Sequence, residues 1–319
     1  MNILLTGTAG FIGFHVAKHL LERGDSVIGL DNFNPYYDVK IKEDRNAVLE
    51  KYRNFRVIRC DLHDTEGMKK AFESGSFDVV CNLAAQAGVR YSLTHPHAYV
   101  DSNITGFLNI LEGSRHAGIK RLVYASSSSV YGGNTKLPFS EQDRVDTPVS
   151  LYAASKKSNE LMAHCYSHLY GFQTIGHRFF TVYGPWGRPD MAMWLFTKAM
   201  LAGEPIKVFN KGDMQRDFTY IDDIVQGVVA SLDAPDLAQC EVFNLGNNRS
   251  ENLVDLIGLI EKCLGCEAQK ELLTMQMGDV KATYADIRHA KEKLDFKPST
   301  PISEGVPKFL SWYRDYHKI

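Results

Sequence analysis

A glycine-rich turn near the start of the chain constrains its fold more than any other feature. Ile3-Leu4-Leu5 is a short apolar run, and Thr6-Gly7-Thr8-Ala9-Gly10-Phe11-Ile12-Gly13 follows it directly. From Phe11 to Arg23 apolar residues recur at Ile12, Val16, Leu20 and Leu21, a helical period that Gly24 ends. A buried strand, a tight turn and a helix in that order need glycine for three reasons. One makes the turn, one lets the backbone approach a pyrophosphate, and one lets the helix pack on the strand. The helix start then leaves free N–H groups for the phosphates. The spacing is GxxGxxG and departs from the generic GxGxxG, so the turn draws its force from context. That context includes a second strand, Val27-Ile28-Gly29-Leu30, which ends on Asp31. A carboxylate there accepts hydrogen bonds from ribose hydroxyls and repels a 2′-phosphate, which favours NAD over NADP.

The pattern then repeats. Apolar strands are expected at Phe55-Ile58, Asp78-Leu83, Arg121-Ala125 and Thr174-Phe180, with helices at Thr65-Glu73, Pro96-Ala117 and Leu151-Tyr170. Alternating strand and helix implies a parallel sheet covered on both faces, an α/β doubly wound Rossmann sheet. After Gly184-Pro185 the chain carries short helices, loops and more Pro and Gly. We expect residues 1–180 to form the nucleotide-binding domain. A helix at Asp222-Leu232 and a strand at Val242-Leu245 would bring residues 217–247 back to it. The rest of 181–319, ending in a helix at Ile302-His317, would form a smaller substrate-binding domain. Asp61-Leu62 and Leu83-Ala84-Ala85-Gln86 follow the third and fourth strands, where open α/β sheets bind ligands. Asn103 falls in the next helix, where it could bridge backbone groups near the site.

Composition narrows the partners. The 319 residues are 44% hydrophobic, ample for a large core, and the net charge of −2 holds no long run of one sign. No nucleic-acid groove or basic membrane face is expected, and no apolar run reaches the ~18 residues of a spanning helix. The chain opens directly on a strand without a basic segment, so a cytoplasmic, reducing setting is expected. Of the six cysteines, Cys60, Cys81, Cys165 and Cys240 read as buried thiols among apolar neighbours. Cys263 and Cys266 form a single CxxC, only half a structural zinc site, and read as a helix ending at Gly265. No metal is expected.

Tyr152 and Lys156 stand four apart in a helix and share a face. Tyrosine ionises near ~10, too high for a base at neutral pH, and an adjacent ammonium would favour the phenolate. Such pairs also arise by chance on exposed helices. Here Ser126-Ser127-Ser128-Ser129 ends the preceding strand and points to the same cleft, where a serine can relay the proton.

Together TGTAGFIG, Asp31-Asn32, Asp61-Leu62, Leu83-Ala84-Ala85, SSSSVYG, YxxxK and RDFTYIDD resemble the extended short-chain dehydrogenase/reductase family over nearly the whole chain. The resemblance implies Tyr152 as acid/base, Lys156 as its support and Ser127 as assistant. It implies cofactor contacts from Gly7, Gly10, Phe11, Ile12, Gly13, Asp31, Asn32, Asp61, Leu62, Leu83, Ala84, Ala85, Gln86, Asn103, Ser126 and Phe179, with Lys42 nearby. Within the family the chain is most similar to nucleotide-sugar 4-epimerases, above all those acting on UDP-glucuronate. The pointers are Asp31-Asn32-Phe33-Asn34-Pro35-Tyr36-Tyr37, the segment Ala85 to Ser92, and Arg178 to Pro185. The resemblance implies that Arg188 and Arg216 clamp UDP, as guanidinium forks suit phosphate oxygens. It also implies a homodimer through helices at about 98–117 and 151–170.

Relatives that remove water or carbon dioxide carry carboxylates where this chain has Ser128 and Ser129. A serine cannot replace those acids for proton transfer at carbon, so epimerisation without elimination is expected. UDP-glucose epimerases usually carry Asn-Pro where this chain has Thr181-Val182. We expect Thr181, Ser127 and Ser128 to form a hydroxyl cup for the sugar carboxylate. The alternatives are UDP-glucose or UDP-N-acetylglucosamine epimerisation, and net oxidation of a nucleotide sugar by exchanging NAD.

Overall fold

The computed structural model describes residues 1–319. Period-two alternation decides its layering. In β1 (Asn2–Thr6) Ile3 and Leu5 join the apolar cluster on one face, while Leu4 joins the cluster on the other. Both faces are therefore dry, as a parallel sheet requires. The further strands β2 (Ser26–Asp31), β3 (Phe55–Arg59), β4 (Val79–Asn82), β5 (Arg121–Ser127) and β6 (Gln173–Phe179) are joined by Cys240–Leu245. The seven lie side by side as β3-β2-β1-β4-β5-β6-(240–245), and every pair is parallel. The order reverses between β1 and β4, which opens a crevice beyond their carboxyl ends.

Helix α1 covers Phe11–Arg23 and closes on Gly24 in the left-handed conformation, φ 98°. Helix α2 (Val39–Leu49) was not expected from the sequence. Its buried face is Ile41, Lys42, Arg45, Asn46 and Leu49, so polar side chains hide the apolar period. α3 spans Thr65–Glu73. The helix expected over Pro96-Ala117 runs unbroken from Pro96 to His116, but its middle is wound more widely. Short helices α4 (Tyr91–Thr94) and α5 (Pro96–Tyr99) lead into a wider π-type turn, Val100–Thr105, before α6 (Gly106–His116). The Asn103 carbonyl accepts from Asn159 Nδ2 at 2.5 Å, so a side chain draws it out of the regular ladder. α7 spans Leu151–Tyr170, capped by Ser150, whose hydroxyl accepts from Ala153 N.

Residues beyond β6 share the larger apolar cluster with the sheet face that holds Ile3. Trp194 and Trp312 pack at 5.5 Å, and the final helix is Ile302–His317. The short helix Ala192–Leu201 and the helix Leu253–Leu264, which ends on left-handed Gly265, complete the packing there. Of the four cysteines expected to be buried, three depart from expectation. Cys81 is buried, Cys60 and Cys240 are half-buried, and Cys165 is exposed because it falls off the buried stripe of α7. No helix is long and apolar enough to cross a membrane.

Candidate active site

The crevice at the strand-order reversal is an open cleft of about 1370 Å³, solvent at its mouth included. It runs from the glycine-rich turn to Tyr152 and Arg188. One end is the glycine-rich turn. Gly7 has φ +77°, and a Cβ there would lie 2.8 Å from the Ala84 nitrogen. A Cβ on Gly13 would lie 2.0 Å from the Gly7 oxygen, so helix and turn touch only because both are glycine. Gly10 begins α1 without any side-chain cap, so the first N–H groups of the helix remain available to an anion. Asp31 is fixed by Ala9 N at 3.0 Å and Phe33 N at 2.9 Å. Burial pushes its carboxyl up, against those two bonds and the charge of Lys42. An uncapped helix, a glycine cradle and an anchored carboxylate fit the pyrophosphate and ribose of a dinucleotide.

The predicted residues converge. Gly7, Gly10, Phe11, Ile12, Gly13, Asp31, Asn32, Lys42, Asp61, Leu62, Leu83, Ala84, Ala85, Gln86, Ser126 and Phe179 all line the cleft. So do Ser127, Tyr152, Lys156 and Arg188. Four expected residues do not. Asn103 is spent on structure: Oδ1 accepts from Gln86 N at 2.8 Å, and Nδ2 donates to Gln86 O and Ser155 Oγ. Ser128, Thr181 and Arg216 stand outside the walls, although their neighbours Ser127, Phe180 and Val182 belong to them. Arg216 Nη1 donates to the Gln215 and Lys281 carbonyls. Asn34, Tyr36, Tyr37, Ser102 and Met191 were not anticipated as lining residues.

At the other end of the cleft lies the proton-transfer group. Burial raises the Tyr152 phenol above its ordinary value, opposed by a hydrogen bond with Ser127 and the charge of Arg188. Lys156 Nζ donates to the Ala125 carbonyl at 2.9 Å, and burial pushes its ammonium down to about 7. Without ligands the shift of the Tyr152 phenol is set chiefly by burial. One of the three ammonium donors is used on the strand, and burial dominates both groups. Ser127 Oγ donates to Ser129 Oγ and accepts from Ser129 N, both at 3.1 Å. Arg188 forks onto Asp190, with Nε to Oδ1 at 3.0 Å, and Tyr36 donates to the same carboxylate at 2.8 Å.

Sequence reasoning missed what holds this group. Glu160 accepts from Ser126 Oγ at 2.7 Å and pairs with Arg178 through Nε at 2.8 Å and Nη2 at 2.9 Å. Arg178 also donates to Tyr131, whose hydroxyl donates to Asn244 Oδ1. The chain thus welds α7 to β5, β6 and the edge strand. The available signal was spacing: Glu160 is four residues beyond Lys156 and on the face it shares with Tyr152.

A family model described as the NAD dependent epimerase/dehydratase family matches residues 3–246. UDP-glucuronate 4-epimerase 2 of Arabidopsis thaliana is 48% identical, with 100% of this chain and 77% of that protein aligned. A crystal structure of UDP-glucuronic acid 4-epimerase from Bacillus cereus, in complex with UDP-glucuronic acid and NAD, superposes with a TM-score of 0.94. It is 35% identical over 99% of this chain and 100% of its own. UDP-glucose 4-epimerase of Thermotoga maritima, solved with UDP-glucose, gives 0.90 at 31% identity over 99% and 100%. Sequence and fold agree across the whole chain, which belongs to the NAD dependent epimerase/dehydratase family.

Proposed function

We propose that this enzyme inverts C4 of a UDP-sugar, UDP-glucuronate to UDP-galacturonate, with NAD kept bound. One observation carries the reading. The only carboxylates in the cleft walls are Asp31 and Asp61, on the half of the sheet away from β5, while Ser127, Tyr152 and Lys156 meet at β5. The reacting end therefore offers hydroxyls and an ammonium but no acid able to move protons at carbon. Such a site can oxidise and reduce a carbinol, and it has no group for elimination. Two named relatives, from Arabidopsis thaliana and Bacillus cereus, act on UDP-glucuronate.

NAD, when bound, supplies reversible oxidation at C4. The glycine turn, Asp31, Asp61 and Gln86 would hold it. Tyr152 removes the proton of the C4 hydroxyl and later returns it, and Lys156 supports the phenolate. Ser127 turns its hydroxyl from Ser129 to the sugar oxygen. Arg188 holds the diphosphate while the oxidised sugar turns over, which a grip on the sugar itself would prevent. Ser127, on the cleft wall, would donate to the sugar carboxylate, and Ser128 and Thr181, which adjoin the wall at Ser127 and Val182, would complete the cup. A Thr181→Ala variant with unchanged turnover and no extra pentose would remove Thr181 from that role.

Six free cysteines, two of them exposed, suit a reducing cytoplasm. Exposed Leu108 on α6 and Leu161 and Leu169 on α7 suit pairing of two copies through these neighbouring helices. Sedimentation as a monomer at micromolar concentration would discard that pairing.

The test of the reaction is purified protein and UDP-glucuronate with no added NAD, followed by proton NMR. Growth of a UDP-galacturonate signal to a plateau is expected. No change, with turnover of UDP-glucose instead, would keep the chemistry and replace the substrate.

A further inference from the structure

Arg45 is completely buried, with 0% of its surface exposed, and it forms no ion pair. A guanidinium so placed is costly unless its donors are well used. Its fork spans two loops 141 and 36 residues away. Nη1 donates to the Ala9 carbonyl at 2.8 Å and to the Tyr37 hydroxyl at 3.0 Å. Nη2 donates to the Trp186 carbonyl at 2.5 Å and to the Gly187 carbonyl at 3.2 Å. Ala9 sits inside the glycine-rich turn, and its N–H is held from the other side by Asp31. Trp186 has φ +60°, an unfavourable left-handed conformation for a bulky side chain. Its carbonyl is fixed by Arg45 while its ring packs on Phe14 and Trp312. Arg188 follows two residues later.

We propose that Arg45 is a positioning residue that ties the dinucleotide turn to the loop carrying Arg188, so that one planar fork sets both ligand seats in a common frame. The inference rests on the reading of the cleft as a paired dinucleotide and UDP-sugar site. Its charge bears on the Ala9 carbonyl, within the turn that would hold an anionic cofactor, and would add to that cofactor's retention. A lysine cannot do the same, because a single ammonium on a flexible stem cannot span both carbonyl pairs in a fixed plane.

The experiment compares wild type with Arg45→Lys, which keeps the charge, and Arg45→Met. NAD content is measured after gel filtration, and affinity for UDP alone by calorimetry. The pH profile of kcat is recorded with saturating added NAD. For Arg45→Lys we expect most of the resident NAD to be lost and UDP to bind about tenfold more weakly, the scale of one charge-assisted hydrogen bond. The kcat profile should keep its shape, since Tyr152 and Lys156 are untouched. Arg45→Met should show the larger losses; if it fails to fold, Arg45→Lys carries the test. A lysine variant with full NAD and wild-type UDP affinity, changed only in thermal stability, would overturn the proposal. So would loss at one seat with the other intact, because the claim is that one fork serves both. Neither NAD content nor UDP affinity needs the sugar to be identified: wild type inactive on UDP-glucuronate would fail the substrate reading and leave the coupling to be judged on those two measurements.

Discussion

Replacing Glu160 by glutamine keeps the shape of the side chain and removes its charge. Arg178 is then left 3% exposed with no opposite charge, bonded only to neutral acceptors, the Tyr131 hydroxyl and the glutamine oxygen. Breaking a buried pair from one side costs about 3–5 kcal/mol, because the other charge stays buried without compensation. For a chain of this size, that corresponds to a fall in Tm of roughly 4–8 °C. The loss should depend on pH. Burial alone would raise the Glu160 carboxyl, but Arg178, with Ser126 and Lys157, outweighs it and holds it below its ordinary 4.5. A depressed carboxyl contributes stability that is present above 4.5 and is lost as pH falls through its folded value. Wild type therefore gives up its advantage in acid, and the gap to Glu160→Gln should hold from pH 7 to 4.5 and narrow below 4.5. Urea unfolding of both proteins across that range measures it. A difference below about 1 kcal/mol, equal at every pH, would refute the pairing argument. The double variant Glu160→Leu with Arg178→Met adds a second check. Apolar residues of similar volume should restore most of the stability. Turnover should stay low, because Ser126 loses its acceptor and α7 loses its polar anchor to β5. Full activity in that variant would show that packing alone positions the helix.

Tyr152→Phe should lower kcat by about 10²–10⁴, the usual worth of a positioned acid/base, while NAD content stays near wild type. Gly13→Ala places a methyl 2.0 Å from the Gly7 oxygen, so the purified variant should lack bound cofactor, read from its absorbance spectrum. Lys156→Met should be inactive yet, stripped of cofactor, more stable than wild type below pH 7. The ammonium falls from 10.5 to about 7 on burial, a penalty present below that value and fading towards 10.5. At about 1.4 kcal/mol per tenfold the upper bound is about 5 kcal/mol, reduced by the lost bond to Ala125. Equal melting temperatures at pH 6 would show that water reaches Lys156.

The nucleotide half of the cleft was readable because its devices are local. Gly7, Gly10 and Gly13 act within one turn, Asp31 ends the adjoining strand, and Tyr152 and Lys156 share a helix face four residues apart. Pattern and chemistry coincide there, so α1, α3, α7 and the final helix lie where their periods put them. Helix α2 escaped because its buried face is polar. The π-type turn escaped because its cause, Asn159 on Asn103, joins residues 56 apart. Thr181 shows the opposite limit: it sits in a strand between the wall residues Phe180 and Val182, and neighbours in extended chain point to opposite sides.

The sequence alone determined the parallel sheet, the phosphate turn, the proton-transfer pair and the absence of a carboxylate at 128 and 129, each settled by residue type and short-range spacing. The tertiary structure alone decided which side chains meet from afar. It turned Arg45 into a strut between two loops, Glu160 and Arg178 into an anchor, and Asn103 into a brace. Those contacts span from 17 to 141 residues, and only the packing of the sheet against its helices brings them within hydrogen-bond reach.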